Sequence, residues 1–293
     1  MTNKRTFDFI LVDIATLIYL FILSLVVLIF SGNEPHWYLY ILFNLLVSVI
    51  VLWMAGWVSR RPSGIFRFFR HWYPIIIFSF LYEETRGLIH LIFPYWFDNW
   101  INILELKLFG VYPTVWLESF FCPGLNEYVM FSYFCYYFFL PILGILLYFN
   151  HKLKEFDHLT FTSAIAFYIS YLGFILMPVE GPRFCLSALH HLKLEGPFFT
   201  KLVQKVIDMG GLHGGCMPSS HVAVALVVLI FAYRYHKTLF FIMCPIVATL
   251  FVATVYGRFH YVSDVIAGLI VGGISILICD KISVIWQRNI TER

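Results

Sequence analysis

Residues 237–284 read KTLFFIMCPIVATLFVATVYGRFHYVSDVIAGLIVGGISILICDKISV. Two apolar runs, 239–257 and 262–284, flank a connector that carries Arg258, His260 and Asp264. Runs of about twenty apolar residues match the length of an α-helix crossing a hydrocarbon core of about 30 Å. The short connector makes the two helices antiparallel neighbours. The same reading extends along the chain and predicts six more spans, at 9–31, 37–59, 72–94, 127–149, 158–178 and 219–236. With 60% hydrophobic and 13% charged residues in 293, the chain has too much apolar surface for a water-soluble fold, which typically runs near a quarter charged. The expected fold is all-α: a polytopic bundle of about eight transmembrane helices forming one integral membrane domain, 1–293. The first run is too long for the core of a cleaved signal peptide and lacks a small-residue cleavage site, so it reads as a retained anchor. A net charge of +3, spread between apolar runs, points to no nucleic-acid partner.

Eight spans put both termini on one side. Lys4, Arg5, Arg60, Arg61, Arg67, Arg70, Lys152, Lys154, Arg234, Lys237, Lys281, Arg288 and Arg293 then share that side, thirteen of the twenty basic residues. The positive-inside rule makes it the cytoplasm. Two outer segments are long. Residues 95–126, with Trp96, Trp100 and Trp116 among acidic residues, read as an interfacial helix. Residues 198–209 set Phe198, Leu202, Val203, Val206 and Ile207 at helical spacing, and read either as a membrane-lying lid or as a plain connecting helix.

Three clusters fall at the outer ends of the spans, within 178–268: Glu180-Gly181-Pro182-Arg183, Met217-Pro218-Ser219-Ser220-His221 and Tyr256 to Asp264. Topology alone lets them meet. Pro218 suits a helix start, and the free N–H groups there, with Ser219 and Ser220, form an anion site. His260 and Asp264, four apart, share a helix face. Asp264 can hold one tautomer of His260 and stabilise its positive charge, leaving the other ring nitrogen to attack. Arg183 and Arg258 are candidate phosphate ligands. These are the parts needed to pass a phosphoryl group through a histidine.

The three clusters resemble the signature of the type 2 phosphatidic acid phosphatase superfamily: Lys-x6-Arg-Pro, Pro-Ser-Gly-His and Ser-Arg-x5-His-x3-Asp. The likeness covers about 160–284. Tyr82–His90 and Leu104–Leu117 are similar to the branch that contains inositol phosphorylceramide synthases and their bacterial relatives. The resemblance implies a six-helix core, chemistry without metal or other cofactor, and a lipid phosphate or phosphodiester substrate. It makes His260 the nucleophile, Asp264 its partner and His221 the acid for the leaving oxygen. Leu176 stands where the motif has lysine, Arg183 follows its proline instead of preceding it, Ser220 replaces glycine, and Ala253-Thr254 replaces Ser-Arg. Two phosphate cations are therefore missing, a pattern similar to the sphingolipid branch. That favours a headgroup transferase with a ceramide or diacylglycerol acceptor beside the lipid phosphatase reading. The expected setting is a bacterial cytoplasmic membrane with the active site extracytoplasmic.

Ionisable groups inside a span are costly, so Glu83, Glu84, Arg86 and His90 read as cleft residues or a self-neutralising set, with Arg86 a candidate headgroup contact. Asp13 reads as solvated near the cytoplasmic end. Cys135, Cys244 and Cys279 fall within spans as packing residues. Cys185 and Cys216 bracket the loop between Arg183 and His221, where a disulfide would fix the site. Competing readings are a metal-dependent hydrolase using His213, His221, His260 and Asp264, a lipid or ion transporter, and an inactive scaffold.

Overall fold

The computed structural model describes residues 8–61, 64–211 and 213–291, with side chains to 288. Lys4, Arg5 and Arg293, and the two ends of the 1–293 domain, lie outside the described residues. Twelve α-helices occur among the described residues: α1 Leu11–Ile29, α2 Trp37–Trp53, α3 Gly64–Arg86, α4 Asp98–Phe109, α5 Pro113–Trp116, α6 Pro123–Phe149, α7 Leu153–Leu176, α8 Pro182–Cys185, α9 Phe199–Gly210, α10 Ser220–Tyr235, α11 Lys237–Tyr256 and α12 Val262–Thr291. The protein is a polytopic helical bundle. Among the described residues six helices are long and apolar enough to cross a membrane: α1, α2 with the π-type turn that extends it to Val58, α6, α7, α11 and α12. The other two expected spans are helices as well. α10 has 16 residues, about 24 Å of rise. α3 carries Arg67, Arg70, Glu83, Glu84 and Arg86.

The third span starts earlier than its apolar run suggests, at Gly64, and ends at Arg86 instead of continuing to 94. Ion pairing explains the early start. Arg70 is buried in α3 because Asp13, fully buried in α1, receives it at 3.0 Å, with Tyr73 bonded to the same carboxylate. Asp13 is thus an internal counter-charge, not a solvated residue, consistent with the rule that buried charges are paired.

α10 lies at the centre, packed against α6, α7, α11 and α12; α1 and α3 pack on the far side of α7, with α2 outside. α10 is rich in alanine and valine, and the face it meets on α12 is glycine. A Cβ on Gly268 would stand 2.5 Å from the Ser219 carbonyl oxygen, and one on Gly272 2.7 Å from that of Ala223. This Gly-x3-Gly pair brings the two backbones into contact, the usual way membrane helices pack closely. It also fixes the distance between the chemistry at the start of α10 and that at the start of α12. A backbone bond from the Ser219 N–H to the Asp264 carbonyl (3.0 Å) ties the same two starts together.

The long outer segments form short helices, as expected: α4 and α5 in the first, α9 in the second. α9 turns Val203 inward and packs against α6, while Phe198 stays exposed.

Candidate active site

The loop after α7, the start of α10 and the connector between α11 and α12 converge. His260 and Asp264 are buried, with the imidazole Nδ1 3.4 Å from Asp264 Oδ2. The same oxygen accepts the Tyr261 N–H at 2.8 Å, while Oδ1 has no partner. Burial lowers the pKa of His260 to about 4, against the opposing pull of a bond to the Cys216 backbone, so the ring is neutral at ordinary pH. His221 lies across from it, with ring centroids 5.8 Å apart. Its Nε2 is 3.3 Å from the Tyr133 hydroxyl and its Nδ1 is unpartnered.

Both histidines line a cavity of about 240 Å³ together with Arg183, Glu180, His213 and Cys216. Arg183 Nη1 is buried without a hydrogen-bond partner, and Nη2 is 3.8 Å from Asp208 on α9. A free guanidinium edge in a chamber with two imidazoles suits an anion. A second cavity, about 410 Å³ and walled by Phe78, Tyr136, Tyr137, Leu140 and Phe167, shares His221, Tyr133, Tyr82, Ile207 and Gly211 with the first. His221 therefore stands where a polar chamber meets an apolar one.

The remaining candidates are placed differently. Ser219 is buried as the N-cap of α10, accepting the Val222 N–H at 3.4 Å. Ser220 is buried on the apolar side. Arg258 does not line the histidine cavity but, with Arg183, a separate one of about 930 Å³; it pairs with Glu118 at 2.6 Å and donates to the Leu192 carbonyl at 2.6 Å. Arg86 pairs with Glu83 at 2.6 Å and reaches the Gly211 carbonyl at 3.2 Å, also outside the lining of the histidine cavity. Cys185 and Cys216 are separate thiols; Cys185 accepts from Asn102, and Cys216 donates to the carbonyls of Glu180 and Phe259. Of the four groups in the metal-hydrolase reading, His213 bonds Glu180 at 2.9 Å and His221 approaches Tyr133; the donors that do converge are Cys216, His260 and Asp264.

One supporting set was not read from the sequence. Asp98, Asn102 and Glu105 share a face of α4, and all are buried. Asp98 accepts the N–H groups of Glu180 (2.8 Å) and Gly181 (2.9 Å) and the Tyr261 hydroxyl (2.9 Å). Glu105 accepts the N–H and hydroxyl of Ser263, each at 2.9 Å. This one helix thus clamps both the Arg183 loop and the His260–Asp264 turn. Gly181 has φ +100°, and a Cβ there would meet Cys216 Sγ at 2.7 Å, so glycine is required at that crossing. The available signal was the 98/102/105 spacing of polar residues on one helical face.

The sequence pattern of the PAP2 superfamily matches residues 107–278, more than half of the chain. The chain belongs to the PAP2 superfamily. The match spans all three clusters and leaves Asp98 outside it. No curated protein and no solved structure matches the chain. Superfamily membership makes this a lipid enzyme of the general phosphatase or phosphotransferase type.

Proposed function

We propose that the protein is a membrane lipid phosphatase or phosphotransferase that acts on a lipid phosphate or phosphodiester headgroup through a phosphohistidine-type intermediate on His260. The observation that carries this reading is the opening of His260, His221 and Arg183 onto one cavity, with Asp264 behind the nucleophile. Arg183 holds the phosphate oxygens. The ring nitrogen of His260 that does not face Asp264 attacks phosphorus, the bond to the leaving oxygen breaks, and His221 gives that oxygen a proton. Asp264 balances the charge on the substituted imidazole. Water or an alcohol then attacks phosphorus, yields its proton to His221, and releases His260. The step asks for no metal. The reaction face is extracytoplasmic and both termini are cytoplasmic, a reading supported by the sorting of basic residues between loops, in a bacterial cytoplasmic membrane.

The apolar chamber beside His221 favours the headgroup-transferase version, of the inositol phosphorylceramide synthase-like kind, in which ceramide or diacylglycerol supplies the attacking hydroxyl. The test is incubation of the purified protein with a panel of lipid phosphates and phospholipids, with and without those acceptors, with EDTA, and beside His260→Ala. Free phosphate lost in the variant supports the phosphatase; a new phospholipid formed only with acceptor supports the transferase. Activity abolished by EDTA, or unchanged in His260→Ala, overturns the proposal.

A further inference from the structure

We propose that Cys216, His260 and Asp264 form a high-affinity site for a soft divalent cation such as Zn²⁺, and that its occupation switches the enzyme off. One donor atom from each of the three lies within 4.8 Å of the others, and all three residues are buried. The donor set is thiolate, imidazole and carboxylate, the combination that zinc takes in preference to the oxygen-loving Mg²⁺ and Ca²⁺. Tetrahedral zinc needs such donors roughly 3.5 Å apart, so closure by about 1 Å completes the site. The Cys216 thiol is held only by the carbonyls of Glu180 and Phe259, at 3.5 and 3.4 Å, and Asp264 Oδ1, fully buried, has no partner.

Charge supports the assignment. Zn²⁺ with one thiolate, one carboxylate and one neutral imidazole sums to zero, which suits a buried site. The thiol proton leaves to solvent as the metal binds. Cys216 and His260 line the polar cavity, which is the entry path and leaves a fourth position for water. The inhibitory consequence rests on the nucleophile reading: a metal between His260 and Asp264 takes both the imidazole and its counter-charge. The nucleophile reading gives the Cys216 thiol no step in phosphoryl transfer.

The test uses the full-length, metal-stripped protein in detergent, equilibrated with Zn²⁺ and desalted for metal content, with Co²⁺ as a spectroscopic probe. We expect one zinc per chain and a thiolate-to-cobalt charge-transfer band in the wild type. Cys216→Ser, which keeps a donor for one of the two carbonyls, should lose the band and bind zinc at least tenfold more weakly; Cys135→Ser should bind as wild type. Zinc retained by Cys216→Ser, or absent from a folded wild-type sample, overturns the site whether or not a lipid substrate is in hand. In the activity assay zinc should inhibit the wild type and leave Cys216→Ser at least tenfold less sensitive. Zinc that binds through Cys216 but activates would overturn the inhibitory role and, with it, the metal-free mechanism.

Discussion

Asp98 offers a sharp test of how the site is held. Asp98→Asn keeps the side-chain volume and removes one acceptor. The amide oxygen can keep the Gly181 N–H and the Tyr261 hydroxyl, but the amide NH₂ must then face the Glu180 N–H, donor against donor. Losing a charge-assisted bond and stranding a buried N–H costs about 2–3 kcal/mol, offset in part because a neutral amide is cheaper to bury than a carboxylate. We take roughly 2 kcal/mol as the net local effect. It falls on the Glu180–Arg183 loop and the His260–Asp264 turn together. Misplacement of reacting groups by about 1 Å costs on the order of 100-fold, so kcat/KM should drop by about 10- to 100-fold. Tyr261→Phe removes a single hydroxyl bond and should cost about 1 kcal/mol and correspondingly less activity. The assay pairs turnover with hydrogen exchange. In Asp98→Asn, exchange should quicken in 178–186 and 257–264 and be unchanged in α1 and α2. Wild-type turnover and exchange would refute the clamp; uniform quickening would show a general destabilisation instead.

The other predictions concern the cations, the acid limb and the helix contact. Arg183→Ala should raise KM at least tenfold with little loss of stability, whereas Arg258→Ala should leave KM near wild type and lower the thermal midpoint, because breaking its largely buried pair with Glu118 costs about 3 kcal/mol. A reversed pattern in the same kinetic and melting assays would exchange their roles. The pKa of His260 is lowered to about 4, so the unfolded chain binds the extra proton between about 6.5 and 4, and stability from this group is lost as pH falls through that window. The matching activity limb belongs near pH 4, and an imidazole titration of His260 near 6.5, followed by NMR in the folded protein, would contradict it. Gly268→Ala should lower both activity and the thermal midpoint, since its Cβ meets a backbone oxygen at 2.5 Å; a neutral result would mean that α10 and α12 separate easily.

Much of this could be read from sequence because lipid is a strict solvent. Apolar runs of about twenty residues leave little choice of element, and each of the eight became a helix. The start of α3 was not legible, because Arg70 is neutralised by Asp13, 57 positions away, and spacing carries no information about such a partner. The histidine–aspartate set was legible because a four-residue spacing and a proline-led helix start are local signals. Arg183 and Arg258 looked alike as loop arginines. Only the tertiary structure separates them: Glu118, 140 positions from Arg258, holds that guanidinium at 2.6 Å, while Arg183 lies 3.8 Å from Asp208 and lines the histidine cavity. The role of Asp98 was not legible, because its partners Glu180, Gly181 and Tyr261 are 82 or more positions away. The cysteine pair read as a possible disulfide because sequence gives proximity along the loop but not the separate hydrogen bonds that hold each thiol.

The most direct measurement is to trap the intermediate. Purified protein would be mixed with a turned-over lipid substrate in EDTA, quenched in alkali, and mapped by mass spectrometry under conditions that preserve phosphoramidate bonds. The account predicts a phosphoryl-type adduct on His260 that forms at the rate of turnover, is absent from His260→Ala, and accumulates in His221→Ala when the leaving group needs no proton. Turnover with no adduct on His260, or an adduct on another residue, would contradict it.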